Sequence, residues 1–291
     1  MNDCTILIDA PKKFLKGAGF PNTAFLPAWI YKVKIILKNS SDSPRLCSFS
    51  ATLGNGIRYI NDLQLSGPDR NLYNMVNVVE PTPSVGNNNV IIFANNFMLS
   101  PNSENILILD TCLCNNYSEN SIENSGIKIP HSSKLSFYGH LINGEEVDSC
   151  SFTSESCDYE INIKCEDNEI ARKDTTKFYL ECKTGQYDMV RSVYVRSILD
   201  EGLEFIADSA NMEPRNVYTF DKRTVLKWNV GSLQPSEVKK IGYKVMLKES
   251  CYADSIIKPG DILKNKTNSN CINNSTYTQC PSSCEYEIFV K

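Results

Sequence analysis

Twelve cysteines and two histidines are the first side chains to weigh for covalent or metal chemistry in a chain of 291 residues. The cysteines are Cys4, Cys47, Cys112, Cys114, Cys150, Cys157, Cys165, Cys182, Cys251, Cys271, Cys280 and Cys284, and the histidines are His131 and His140. A structural zinc site asks for paired ligands two to four residues apart. Cys112-Leu113-Cys114 and Cys280-Pro281-Ser282-Ser283-Cys284 come nearest to that spacing. No histidine pair accompanies them and the other cysteines are dispersed, so no metal ligands are expected. Nucleophilic catalysis would have to place a cysteine beside His131 or His140, and a histidine in such a strand region is ordinarily a packing or surface residue. The chain lacks C-x-x-C, G-x-S-x-G, a phosphate-cradling glycine loop and a paired-carboxylate signature. No enzyme, catalytic residue or cofactor is expected.

Disulfides are the chemistry that remains, and the cysteine count is even. Cys112, Cys150, Cys157, Cys251, Cys271, Cys280 and Cys284 are candidates for bonds within a domain. Cys157 and Cys284 occupy corresponding places in an internal repeat, as do, roughly, Cys112 and Cys251. Cys150 is the candidate partner of Cys157, and Cys271 or Cys280 that of Cys284; spacing alone does not fix connectivity. Cys4, Cys47, Cys165 and Cys182 fall outside the repeat scheme and are the candidates for bonds between molecules. The alternative is a set of buried thiols acting as small hydrophobes.

The elements that must position these residues read as strands. Thr224–Leu247 is strand, turn, strand: Leu226, Trp228 and Val230 alternate with polar neighbours, Gly231 and Pro235 supply turn chemistry, and Ile241, Tyr243, Val245 and Leu247 alternate again. Trp228 is the natural inward anchor. Strands are also expected at 30–38, 46–53, 57–65, 90–93, 105–112, 134–141 and 158–164, with long loops at 66–89 and 115–133. The second half repeats this order. Leu199–Ile206 echoes Leu53–Ile60. Leu233–Glu237 echoes Leu99–Glu104, with one residue inserted in the earlier copy. Ser156–Lys164 parallels Ser283–Lys291. The expected organisation is an arm or first strand over 1–28, one β-sandwich over 29–165 and a second over 166–291. The fold class is all-β, two tandem Ig-like sandwiches.

Composition sets the remaining bounds. A hydrophobic fraction of 41% and a charged fraction of 22% are those of a folded chain. A net charge of −4 without a basic run leaves no footprint for nucleic acid. No apolar run approaches the roughly 18 residues of a membrane-spanning helix, so no membrane insertion is expected. The N-terminal residues lack the pattern of a secretory leader, whereas disulfides belong to oxidising compartments. A leader absent from this chain, metal binding, or synthesis in a cytoplasm that later opens would each reconcile the two. Sequons at Asn39, Asn116, Asn265, Asn273 and Asn274 are read as the coding bias of an AT-rich genome.

Trp228-Asn229-Val230-Gly231-Ser232-Leu233-Gln234-Pro235-Ser236-Glu237 resembles the late-strand motif of the conserved-repeat β-sandwich domains found in tandem on bacterial surface proteins. Ser236 stands where that motif usually has glycine. Together with the cysteine load, the size and the asparagine richness, the chain resembles the cysteine-rich exosporium basal-layer proteins of clostridial spores. That resemblance implies a structural homo-oligomer, hexameric rings in a disulfide-cross-linked two-dimensional hexagonal lattice. It implies a permeability barrier at the spore surface, assembled from protein made in the mother cell, with other spore-surface proteins as further partners. The competing expectation is a secreted adhesin or surface binding module.

Overall fold

The computed structural model describes residues 3–17, 29–80, 89–115, 128–249 and 257–291. It divides into two compact units, Met1–Cys157 and Asp158–Lys291.

The first unit has a four-stranded and a six-stranded sheet. The four-stranded sheet has the order β1 (Cys4–Asp9), β3 (Tyr31–Asn39), β8 (Ser103–Leu113), β5 (Ile57–Ser66). The six-stranded sheet has the order β2 (Lys13–Leu15), β10 (Glu146–Cys157), β9 (Lys134–Asn143), β4 (Arg45–Thr52), β7 (Ile91–Leu99), β6 (Asn77–Val79). Period-two alternation sends one side of each strand inward. Ile6, Val33, Ile35, Leu37, Leu107 and Leu109 from the first sheet meet Phe14, Phe49, Ile92, Phe97, Phe137 and Leu141 from the second in one buried core.

The second unit repeats this arrangement ten strands later. Its four-stranded sheet runs β11 (Tyr159–Cys165), β13 (Thr175–Thr184), β18 (Val238–Leu247), β15 (Leu203–Phe205). Its six-stranded sheet runs β12 (Glu169–Ile170), β20 (Ser282–Val290), β19 (Ile262–Asn273), β14 (Val190–Leu199), β17 (Arg223–Leu233), β16 (Asn216–Phe220). The all-β sandwich class is therefore correct, and Trp228 is buried in the second core as expected.

The topology corrects the expected boundary. Asp158–Lys164 does not close the first unit, because β11 pairs antiparallel with β13, as β1 does with β3. Residues 4–9 are thus a first strand. The parallel between Ser156–Lys164 and Ser283–Lys291 is one of composition: the former spans the end of β10 and all but the last residue of β11, the latter lies along β20. The strand equivalent to β20 is β10, whose polar sequence conceals it. The expected loop at 66–89 contains a 3-10 turn, Arg70–Met75, and the edge strand β6. Most of the other expected loop, and Asn116, lie outside the described residues.

The turns carry the repeat most faithfully. Leu203 N donates to Asp200 O and Ile57 N to Gly54 O, both at 2.9 Å. Leu99-Ser100-Pro101-Asn102-Ser103 and Leu233-Gln234-Pro235-Ser236-Glu237 have equal length, so no insertion separates them. The same node is tied in both. Asn39 Nδ2 donates to Leu99 O at 3.2 Å and Ser100 O at 3.0 Å, and Thr184 Oγ1 donates to Gln234 O. Asn102 and Ser236 have φ of 48° and 61°. That left-handed region costs a side chain roughly 1–2 kcal/mol but suits glycine, which explains the glycine of the resembled motif. Glycine's larger unfolded-state entropy offsets part of the relief. Ser236→Gly is therefore expected to stabilise the second unit by about 0.5 kcal/mol, measured by urea unfolding of the full chain; a loss of stability would contradict the turn assignment.

Candidate functional site: buried thiols and open sheet edges

The inward faces of both sandwiches hold most of the described cysteines. Cys4 on β1 and Cys47 on β4 lie on opposite sheets of the first unit, 3% and 2% exposed, with the Cys47 thiol donating to Cys4 Sγ at 3.8 Å. Both are expected from the sequence to bond between molecules, whereas in the folded chain they are buried and face each other. Burial raises both thiols, Cys47 to about 12. Cys182 on β13 is also buried, and burial pushes its thiol to about 11. Of that group only Cys165, at the end of β11, is partly exposed.

The intradomain pairings are redrawn as well. Cys150 and Cys157 share β10, so seven residues of strand, about 23 Å, separate them and an odd spacing sets them on opposite faces. A disulfide spans Cα atoms no more than about 7 Å apart. Cys284 lies within β20 opposite Thr267, whereas Cys280 precedes the start of that strand. Cys280 instead lies beside Cys271: its N–H donates to Cys271 O at 2.9 Å, and the Cys271 thiol points at Cys280 O, 3.7 Å away. Contact with Cys280, then burial, pushes the Cys271 thiol far up. The position equivalent to Cys284 is Cys150, five residues before Phe289 and Glu155, which face Ile262 and Lys134 in matching registers. Cys112 and Cys114 form a small buried cluster with Ile60, apart from the main core. Cys251 lies outside the described residues.

His140 sits on the exposed face of β9 with Nδ1 3.0 Å from Ser149 Oγ, and His131 lies half-buried in the turn before β9. Lys34 points outward to Asp9 at 3.1 Å. The sequon residues Asn39, Asn265 and Asn273 are fully buried, so a glycan could not be attached to them in the folded chain.

Three lysines surround one carboxylate on the outer side of the second unit's four-stranded sheet. Glu181 is 6% exposed and lies 3.3, 3.4 and 3.3 Å from the ammonium groups of Lys164, Lys183 and Lys240. Burial pushes its carboxyl up, but hydrogen bonds from Lys240 and Lys164 and the Lys183 charge outweigh burial, so it is held below the usual carboxylate range.

Among the described residues, four sheets present eight edge strands. Proteins blunt edges with charge, brevity and bulges. β1, β2, β5, β11, β12 and β15 each carry at least one charged residue, and β5 is also bulged between Tyr59 and Leu63. β6 has three residues. β16, Asn216-Val217-Tyr218-Thr219-Phe220, has no charge, no proline and no bulge against β17, and all five residues are exposed. Phe220 is 62% and Val217 49% exposed. In the first unit, Leu46 faces Met98 and Ile142 faces Val147 on the outer side of the six-stranded sheet, all four exposed.

No family model and no curated protein matches the chain. Among solved structures it is similar to red sea bream transglutaminase, at 8% identity and a TM-score of 0.39. That match covers 100% of this chain and 32% of the transglutaminase. It is similar to a Corynebacterium diphtheriae protein described as membrane anchored, at 8% identity and a TM-score of 0.32, covering 98% of this chain and 91% of the other. It is also similar to a chain of a cohesin–dockerin complex from Clostridium thermocellum, at 14% identity and a TM-score of 0.33, covering 47% and 99%. The likeness concerns fold alone, and the strand pairing described above carries that assignment.

The Glu181 cluster has a consequence for acid stability. A carboxyl whose folded pKa is lowered binds fewer protons folded than unfolded, so its contribution is full above the ordinary carboxylate range near pH 4.3 and is lost as the pH falls through its folded value. Glu181→Gln is expected to flatten the acid limb of a stability–pH curve below about pH 5. Equal slopes in variant and wild type would contradict the assignment.

Proposed function

We propose that this chain is a structural building block that assembles with copies of itself into an extended sheet. The observation that carries the reading is β16, a β-favouring edge whose unpaired backbone groups offer a template to another strand. Two β16 edges can pair antiparallel across a two-fold axis, but such a contact closes as a dimer. Extension needs a second contact, and the exposed Leu46, Met98, Ile142 and Val147 group on the other unit supplies a candidate. A second contact distinct from the two-fold one is what would let such dimers extend into a ring or lattice.

The finer reading is the one the cysteine-rich exosporium proteins suggest: hexameric rings in a hexagonal, disulfide-cross-linked layer that acts as a permeability barrier on a spore. Its support is the cysteine count and the duplicated sandwich. The cross-links would draw on partly exposed thiols such as Cys165, because Cys4, Cys47 and Cys182 are enclosed.

Purified protein concentrated under oxidising conditions is expected to form ordered sheets or rings by electron microscopy, and reductant to loosen them. The V217K/T219K variant should lose extended order while its unfolding free energy shifts by no more than about 0.5 kcal/mol per substitution, as is usual for exposed positions. A strictly monomeric protein under these conditions, or unchanged order in the variant, would contradict the proposal.

A further inference from the structure

The first unit places two thiols where each copy of the fold ties its sheets together. Cys4 opens β1, the edge strand of the four-stranded sheet, and Cys47 lies inside β4 of the six-stranded sheet. The registers identify their counterparts in the second unit. Cys4 faces Asn39 as Tyr159 faces Thr184, and Cys47 faces Phe97 as Val193 faces Gly231. Tyr159 also crosses between sheets, its hydroxyl 2.6 Å from Ser269 Oγ on β19. The same corner is thus bridged by a hydrogen bond in one copy and by two facing thiols in the other. An ion pair between Asp3 and Arg45 holds the same two chain segments together beside the thiols. A disulfide needs its sulfurs about 2.05 Å apart, so the 3.8 Å pair must close by about 2 Å.

We infer that Cys4 and Cys47 form an intrachain disulfide across the two sheets of the first unit when the folded protein meets a low-molecular-weight disulfide. One protein thiolate attacks the small disulfide, breaks its S–S bond and releases one small thiol. The second cysteine attacks the resulting mixed disulfide and releases the other. Two protein thiols are oxidised by two electrons, one small disulfide is reduced to two thiols, and the two protons lost by the cysteines leave on those thiols. Cys4 is the entry point, since β1 pairs on one side only and opens before β4. Burial keeps both groups protonated at neutral pH, so the reaction is slow and quickens with pH. The inference does not depend on assembly, and it removes these two cysteines from the set available to link neighbours.

The test uses the full chain, dilute, as an equal mixture of unlabelled and nitrogen-15-labelled protein incubated with oxidised glutathione. Thiols are then blocked with N-ethylmaleimide and the protein digested without reduction for mass spectrometry. The expected product is a peptide pair joining Cys4 to Cys47, two hydrogens lighter than its parts, with both peptides always from one isotope pool. The thermal midpoint of the first unit should rise on the order of 10 °C. Dithiothreitol should reverse that rise, and C4S and C47S should each lack it. Blocked thiols at both positions after prolonged oxidation, isotope-mixed pairs, or either cysteine joined to a different partner would overturn the inference. The wild-type peptide map decides the matter even if a variant folds poorly. Failure to form sheets would leave this result untouched, so the two ideas fail separately.

Discussion

Two sheets packed about 10 Å apart enclose a fixed volume of side chain, and interiors tolerate little departure from close packing. Both copies fill that volume, with different residues. Trp228 occupies the place of Ala94, Tyr243 that of Leu109, and Asn265 that of Phe137, as the strand registers show. Large and small residues exchange places between the two copies. Bringing Tyr243 into the second core also brings a buried hydroxyl, which must be satisfied. Asn265 Nδ2 donates to it at 2.7 Å, and Ser197 lies 2.9 Å away where the first unit has Ala51. A single aromatic substitution thus carries a polar network with it.

The same constraint governs the cysteines. A thiol behaves as a small hydrophobe, and Cys47, Cys182 and Cys271 face inward among Val, Ile and Leu. A cysteine-rich sequence therefore does not translate into a cysteine-rich surface. What the sandwich leaves outward is edge and outer face, and there the two copies diverge: β16 is five residues of uncharged edge, whereas β6 in the corresponding place has three.

Strands that alternate apolar and polar residues were legible from residue types alone, among them β3, β13, β17 and β18. The turns at Gly54 and Asp200 and at Pro101 and Pro235 were legible because glycine, proline and asparagine act locally. β10 and β19 were not. Along β19 the inward residues include Asn265, Thr267, Ser269, Cys271 and Asn273, all buried, and a polar inner face erases the hydrophobic period. β16 escaped for the opposite reason, since it is exposed on both sides and has no inner face to mark. The unit boundary was obscured by the chance likeness of Ser156–Ile161 to Ser283–Ile288. Thiol pairing was hidden by topology: the partner of Cys4 lies 43 residues away on the other sheet, a relation no local spacing encodes.

The central claim is that β16 is held open in the isolated chain and becomes paired when chains meet. Hydrogen–deuterium exchange over a concentration series tests it directly. The account predicts rapid exchange in the segment containing Asn216–Phe220 in dilute solution and strong protection of that segment in concentrated samples, while the protection of β13 and β18 stays constant. Exchange across β16 that is equally fast at every concentration, or already slow in the dilute monomer, would contradict it.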